Sequence, residues 1–176
     1  MSKLTGSEIM KQRGLGNIVI EPFNDTNVGP NGYDVTLSKV LLKVLGRLDM
    51  RLPCRFDRYI IPPEGIVINP GELWLGATNE ACGSDHYVPM FEGRSSTGRL
   101  GLEWDICAGC GDIGFTQPWT LEIRATLPTR IYADVRVAQI MFETVEGEIS
   151  ISYKNTGKYN DQFGPQPSLM WKDFLK

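Results

Sequence analysis

Short apolar stretches, each closed within a few residues by glycine, proline or asparagine, constrain this chain more than any other feature. GIVINPGELWLGATNE reads as two short strands separated by Asn69-Pro70-Gly71, a turn whose proline and glycine supply the backbone angles a reversal needs. The same reading makes strands of Ile18-Val19-Ile20, YVPMFEG, LEWDI, WTLEIRATL and ADVRVAQIMFETV. YDVTLSKVLLKVL alternates over its whole length and reads as one half-buried strand. Helices are few. Thr5 or Ser7 caps a short one through Ile9 and Met10, which Gly14 and Gly16 end, and a second spans Ser95 to Leu100. Many short strands at close spacing predict a mainly β fold, a sandwich or barrel of jelly-roll type.

At 176 residues the chain can bury one sizeable core and not two. From Asn155 it turns polar and rich in Gly, Pro and Gln (KNTGKYNDQFGPQPS), then closes on the amphipathic LMWKDFLK. Residues 1–154 therefore read as one barrel domain and 155–176 as a mobile tail with a small helical anchor. Lys and Arg number 18 against 21 Asp and Glu, so the net charge of -3 offers no field for polymeric nucleic acid, although a few local arginines can hold a small anion. The first residues lack the apolar core of a signal peptide, and no apolar run approaches the roughly 18 residues of a membrane span. The expectation is a soluble cytoplasmic protein that does not engage a membrane. Its four cysteines are expected to be free thiols.

CAGCGDIGF, Cys107 to Phe115, raises the question of a metal. Zinc deaminases pair His-x-Glu with Pro-Cys-x-x-Cys. The single histidine, His86, is followed by Tyr87 and Val88, no proline precedes Cys107, and Cys54 and Cys82 do not form a second pair. A redox pair wants a helix N-terminus, whereas Gly109, Gly111 and Gly114 make a loop. The cysteines read as small packing residues, and the glycines as places where backbone can approach a ligand with Asp112 at the pocket edge; the alternative is that Asp112 merely caps a turn.

Upstream, EGRSSTGRLGL sets Arg94 and Arg99 around Ser95 and Ser96 where a strand turns into a helix. Hydroxyls, guanidinium forks and helix N–H groups suit a phosphate chain, and a capped surface helix with solvated arginines fits equally. Downstream, WTLEIRATL puts Thr120, Glu122 and Arg124 on one strand face and Leu121, Ile123 and Ala125 on the other. If Glu122 lies in a pocket it can take a proton from water and return it to a leaving group.

Together IEPFNDTNVGPNGYDVTLS, LGATNE, EGRSSTGRLGL, AGCGDIGFTQPWTLEI, VAQIMFE and GKYNDQFGPQPS resemble the dCTP deaminase branch of the trimeric dUTPase superfamily over most of the chain. The resemblance implies a dUTPase-like distorted barrel that deaminates cytosine without zinc. It places Glu122 on the general acid/base that activates water for attack at C4, and Ser95 on the hydroxyl that positions this water with backbone at Ala108. Arg94, Ser96 and Arg99 match residues around the triphosphate and the catalytic centre, with Thr97 and Gly98 between them in the same block. Asp112 matches the carboxylate that recognises deoxyribose, backbone at Trp119 and Thr120 reads the base edge, and Tyr153, Lys158, Tyr159 and Gln162 close over phosphates and sugar. Mg²⁺ comes with the triphosphate and takes no ligand from protein side chains. The implied partners are dCTP and dUTP, with dTTP a candidate inhibitor, and the implied assembly is a homotrimer or a dimer of trimers with sites shared between chains.

Strict deaminases of the branch carry a basic residue just before the Ile-Asp pair. Members that also cleave the triphosphate carry Ala-Gly, an aromatic residue, then Ile or Val before Asp. Ala108-Gly109 follows the second pattern, but Cys110 and Gly111 fill the next two places, and the usual Asp-Pro-Gly is Asp112-Ile113-Gly114. The first expectation is dCTP conversion to dUTP and ammonia. The alternative is a bifunctional enzyme ending at dUMP, or a dUTPase-like one, and a third reading is a nucleotide-binding trimer without turnover.

Overall fold

The computed structural model describes residues 2–175, so Met1 and Lys176, the outer ends of the predicted domain and tail, lie outside the described residues. A helix α1 (Gly6–Gly14) is capped by Thr5, whose hydroxyl accepts from the Glu8 N–H. Among the described residues eleven strands follow: β1 (Ile18–Glu21), β2 (Tyr33–Thr36), β3 (Val40–Leu45), β4 (Arg55–Ile60), β5 (Ile66–Ile68), β6 (Trp74–Ser84), β7 (Val88–Gly93), β8 (Leu102–Glu103), β9 (Pro118–Ala125), β10 (Thr129–Ile131) and β11 (Arg136–Glu143). Between β7 and β8 lies the one-turn helix α2 (Ser95–Gly98); α3 (Tyr153–Thr156) opens the tail, and a 3-10 turn, Met170–Phe174, ends it.

Every pairing is antiparallel. Six strands form one sheet in the order β4-β3-β6-β9-β8 with β1 also on β6; β2-β11-β7 form a second, and β10-β5 a small third. The sheets do not close completely, which is the distorted barrel expected of a dUTPase-like fold. Between them sits one core, in which Leu121 and Ile123 of β9 meet Tyr33, Leu41, Ile140 and Phe142 with no exposed surface on any of them. Among the described residues no helix is long and apolar enough to cross a membrane.

Several sequence expectations need correction. YDVTLSKVLLKVL is two strands in two sheets, β2 and β3. The chain changes sheet at Leu37 and Ser38, whose N–H groups donate to Val135 and Ala77 carbonyls instead of continuing one ladder. LEWDI is a strand only over Leu102–Glu103, because the regular pairing with β9 ends there: the Trp104 carbonyl takes the Glu122 N–H out of register, and the Ile106 N–H goes to the Glu122 side chain. The second helix ends at Gly98 rather than Leu100, and Gly101, at φ 72, reverses the chain after it.

Candidate active site

β9 presents two faces, as its alternation requires. Trp119, Leu121, Ile123 and Ala125 are buried, while Thr120 and Glu122 are half-buried on the other side and Arg124 is exposed. On that open side lies a cleft of about 650 Å³. Its floor is Thr120 and Glu122 of β9, one wall is the loop carrying Ile106, Ala108, Cys110 and Asp112, and its roof is Tyr153, Tyr159, Gln162 and Gln166 of the tail. The far rim is the β3–β4 loop, through Leu48, Met50 and Leu52. The lining is largely apolar with three carboxylates, Asp49, Asp112 and Glu122, inside it, the setting in which a polar group is worth most.

Glu122 is fixed at both ends. Its N–H donates to the Trp104 carbonyl at 3.1 Å and its Oε2 accepts from the Ile106 N–H at 3.1 Å. One carboxylate oxygen is thus committed to orientation, and Oε1 is left for proton transfer. The loop next to it is ordered by Asp105, whose Oδ1 accepts from the Ala108 N–H at 2.8 Å and the Cys107 N–H at 3.2 Å. Ala108 can therefore serve a water only through its carbonyl. Further along, Phe91 N–H donates to the Gly109 carbonyl and Gly111 N–H to the Pro89 carbonyl, sewing the loop to β7. The glycines act through space, as close backbone approach demands: a Cβ on Gly111 would stand 2.5 Å from the Trp119 indole. Gly114, at φ 95, lies under Ser152 and Tyr153 of the tail.

An aromatic ladder runs from core to cleft. Phe91 stacks on Trp119, Trp119 meets Phe115 edge-on, and Phe115 meets Tyr153 edge-on, each pair 5.6 Å between centroids. Burial pushes the Tyr153 phenol above its ordinary pKa, and the Asp112 carboxylate pushes it in the same direction, so tail and loop stand close. The Tyr153 hydroxyl accepts from the Tyr159 N–H at 3.2 Å, and the Tyr159 hydroxyl accepts from the Leu169 N–H at 3.1 Å. Gln166 N–H donates to Thr120 Oγ1 at 3.0 Å, pinning the tail to the strand of Glu122. Lys158 is paired with Asp173 at 2.6 Å, and hydrogen bonding to that carboxylate raises its pKa.

Eight of the sequence-predicted residues therefore share this cleft: Ala108, Asp112, Trp119, Thr120, Glu122, Tyr153, Tyr159 and Gln162. The Trp119 N–H is already engaged, donating to Thr78 Oγ1 at 2.9 Å, so a base meets Trp119 through other atoms. The arginine–serine block does not join them within one chain. Arg94, Ser95 and Gly98 line a second cleft of about 540 Å³, beside Trp104, Asp105 and Cys107. Ser96, Thr97 and Arg99 share the α2 turn outside both linings, as does Lys158 on the tail. Arg94 reaches the buried Asp34 at 3.4 Å, and Thr97 Oγ1 donates to the Arg94 carbonyl at 2.8 Å. Cys110 borders both clefts. Among the described residues no group of three or more His, Cys, Asp or Glu side chains is placed to hold a metal ion.

Sequence reasoning missed Asp105, Gln166 and the β3–β4 rim. Asp105 carries a legible signal, an Asp whose side chain can take the N–H groups two and three residues on. Gln166 and the rim reach the cleft only through tertiary folding, and no local pattern marks them.

Fold and cleft together define a dUTPase-like barrel with an apolar, carboxylate-bearing pocket under its own tail. More narrowly, the chain belongs to the dCTP deaminase-like family, whose family model matches residues 3–145. It is 48% identical over 174 residues to the "dCTP deaminase, dUMP-forming" of Clostridium botulinum (strain Alaska E43 / Type E3), covering 98% of this chain and 99% of that one. It is also 48% identical to the protein of the same name in Leptospira biflexa, covering 98% of each. A 2′-deoxycytidine 5′-triphosphate deaminase from Agrobacterium tumefaciens superposes with a TM-score of 0.66 at 20% identity over 81% of this chain, a likeness of fold. This chain spans about half of that protein, 48%.

Proposed function

We propose that the protein is a cytoplasmic enzyme that deaminates dCTP and cleaves the resulting triphosphate in the same site, releasing dUMP, diphosphate and ammonia. The observation that carries this reading is near-full-length similarity, 48% over 98% of the chain, to proteins named dUMP-forming dCTP deaminases. It displaces dUTP as the expected end product in favour of the bifunctional alternative. The cleft supports the chemistry, since Glu122 is held by Ile106 with one oxygen left over.

In the first step Glu122 takes a proton from water and passes it to N3 of cytosine as the hydroxide adds at C4. Glu122 then takes the proton of the new C4 hydroxyl and gives it to the 4-amino group, the C4–N bond breaks, and ammonia leaves as the C4 carbonyl forms. Ser95 and the Ala108 carbonyl hold the water. In the second step a water oriented by Asp112 adds to the α-phosphorus, and the bond to the bridging oxygen breaks to release diphosphate. Mg²⁺ enters with the triphosphate and lowers its charge. Tyr153, Tyr159 and Gln162 close over sugar and phosphates, and Lys158 exchanges Asp173 for a phosphate oxygen.

Ser95, Arg94, Ser96 and Arg99 reach this chemistry from a second copy in a homotrimer, alone or paired as a dimer of trimers. Two features support a shared site: Arg94, Ser95 and Gly98 of the block line a different cleft from Glu122 within one chain, and that cleft is lined by Trp104, whose buried Nε1 is a donor with no acceptor among the described residues. dTTP, which offers the same sugar and triphosphate, is the proposed inhibitor.

Incubation with dCTP and Mg²⁺, resolving nucleotides, ammonia and diphosphate, tests the reading. Ammonia and diphosphate are expected in equal amounts with dUMP and no free dUTP. Accumulating dUTP without dUMP would return the protein to simple deamination. Nucleotide binding with neither product would favour a non-catalytic trimer.

A further inference from the structure

β6 and β9 pair in regular register from Trp74 opposite Ile123 to Ala77 opposite Thr120, and pairing then resumes only at Ala81 opposite Pro118. Thr78, Asn79 and Glu80 therefore stand against Trp119 alone, a bulge at the point where β9 enters the cleft. Its far side is fastened by side chains. The Asn79 amide donates to Thr36 Oγ1, to the Leu37 carbonyl and to Asp134 Oδ1, and the Glu80 carboxylate accepts from the N–H and hydroxyl of Thr36 at 2.8 and 2.9 Å. Its near side meets β9 through one hydroxyl. Thr78 is 2% exposed; its Oγ1 donates to the Glu80 carbonyl at 2.6 Å and accepts from the Trp119 N–H at 2.9 Å.

We infer that Thr78 is a positioning residue for the proposed deamination, substituting for the backbone acceptor the bulge removes and so fixing the Trp119–Thr120 backbone beside Glu122. Both capacities of its hydroxyl are used, and neither partner is replaceable by water in a site this buried. Trp119 carries Phe91 and Phe115 on its ring, and directly after it on the same strand, on the opposite face, come Thr120, which holds the tail, and Glu122. A displacement at Trp119 thus tilts the base against Glu122, while the arginine–serine turn α2, carried on another element, keeps its place. The inference rests on the proposed deaminase reading.

The test is steady-state deamination of dCTP by wild type, Thr78→Val, Thr78→Cys and Thr78→Ser, at a temperature where circular dichroism shows each to be folded. Valine keeps volume and removes the acceptor; kcat should fall by about 10- to 100-fold, as for a misaligned reactant, with KM changed less than about threefold. Serine restores the hydroxyl and should recover kcat to within about threefold of wild type. If valine does not fold, cysteine, a weak acceptor of similar size, takes its place and should lower kcat alone by about 10-fold. A folded valine variant, or failing it a cysteine variant, with wild-type kcat overturns the inference, as does a serine variant no better than valine. A purely structural role would lower melting temperature and leave kcat of the folded enzyme intact. An inactive wild type overturns the functional reading and this inference with it, whereas an active wild type with an equally active valine variant overturns this inference alone.

Discussion

The floor and the roof of the cleft are held together by different physics. The β9 floor sits in a backbone ladder with β6, backed by Leu121 and Ile123, which have no exposed surface. The roof, residues 153–170, is held to the barrel by isolated bonds: Tyr153 N–H to the Ile113 carbonyl, the Gln162 amide to the Pro118 carbonyl, Gln166 N–H to Thr120 Oγ1 and the Lys154–Asp85 pair, while the Asn160 amide ties the roof to its own carbonyls at Tyr153, Lys154 and Gly157. Its apolar residues Tyr153, Tyr159, Leu169 and Met170 are no more than half-buried, and Phe163 is 89% exposed. A segment with so few buried contacts opens at low free energy, whereas a core strand opens only with the whole fold. Under the proposed chemistry, proton transfer needs fixed geometry and turnover needs a door, and the two would then fall on opposite sides of one cavity.

The sharpest way to break this division is Glu122→Gln. Amide oxygen can still accept from Ile106, so shape and melting temperature should persist while proton transfer is lost. Ammonia release from dCTP should drop roughly 1,000-fold with nucleotide affinity within about threefold of wild type. A variant keeping a tenth of the rate would remove Glu122 from its role.

Removing Tyr153 to Lys176 attacks the roof instead. Tyr153 lends one ring to the ladder and the tail adds nothing to the barrel core cluster, so the barrel should fold and bind weakly. The expected loss in kcat/KM is about 100-fold, that of a site open to water and no longer closing on substrate. If circular dichroism shows instead that the barrel unfolds without its tail, the roof is part of the fold and the comparison fails.

The floor was the more legible side. The alternation of WTLEIRATL appears as β9 over Trp119–Ala125, with Thr126 and Leu127 beyond its end, and Thr5 and Asn69-Pro70-Gly71 act where local chemistry places them. Elements whose signal is not local were lost. RFDRYI became β4, whose residues are all exposed, so it has no buried face for alternation to reveal. YDVTLSKVLLKVL changes sheet without changing period, which alternation cannot report. In the site, residues carried by the family motifs were foreseen by type, yet their division between two clefts was not, because sequence order is silent on which side of a barrel a turn faces.

The smallest expected effect concerns the far side of the floor, where burial raises the Glu80 carboxyl above its ordinary range despite the opposing hydrogen bonds from Thr36. The folded protein therefore binds this proton more tightly than the unfolded chain, whose glutamate titrates near about 4.3. Its contribution is fully present below that value and declines as pH rises through the raised one. Glu80→Gln has no such proton to lose, so the melting temperature of wild type minus that of the variant should fall from pH 4 toward pH 7. The remaining carboxylates are common to both proteins and cancel in the difference. A flat or rising difference would mean that the Thr36 donors outweigh burial and that Glu80 is a stabilised carboxylate. Because Glu80 reaches the cleft only through Thr78 and Trp119, kcat of the folded variant should stay near that of wild type. A rate that tracked the stability slope instead would show that the bulge and the catalytic strand move as one body, and the rigid half of the comparison would then extend back to β2.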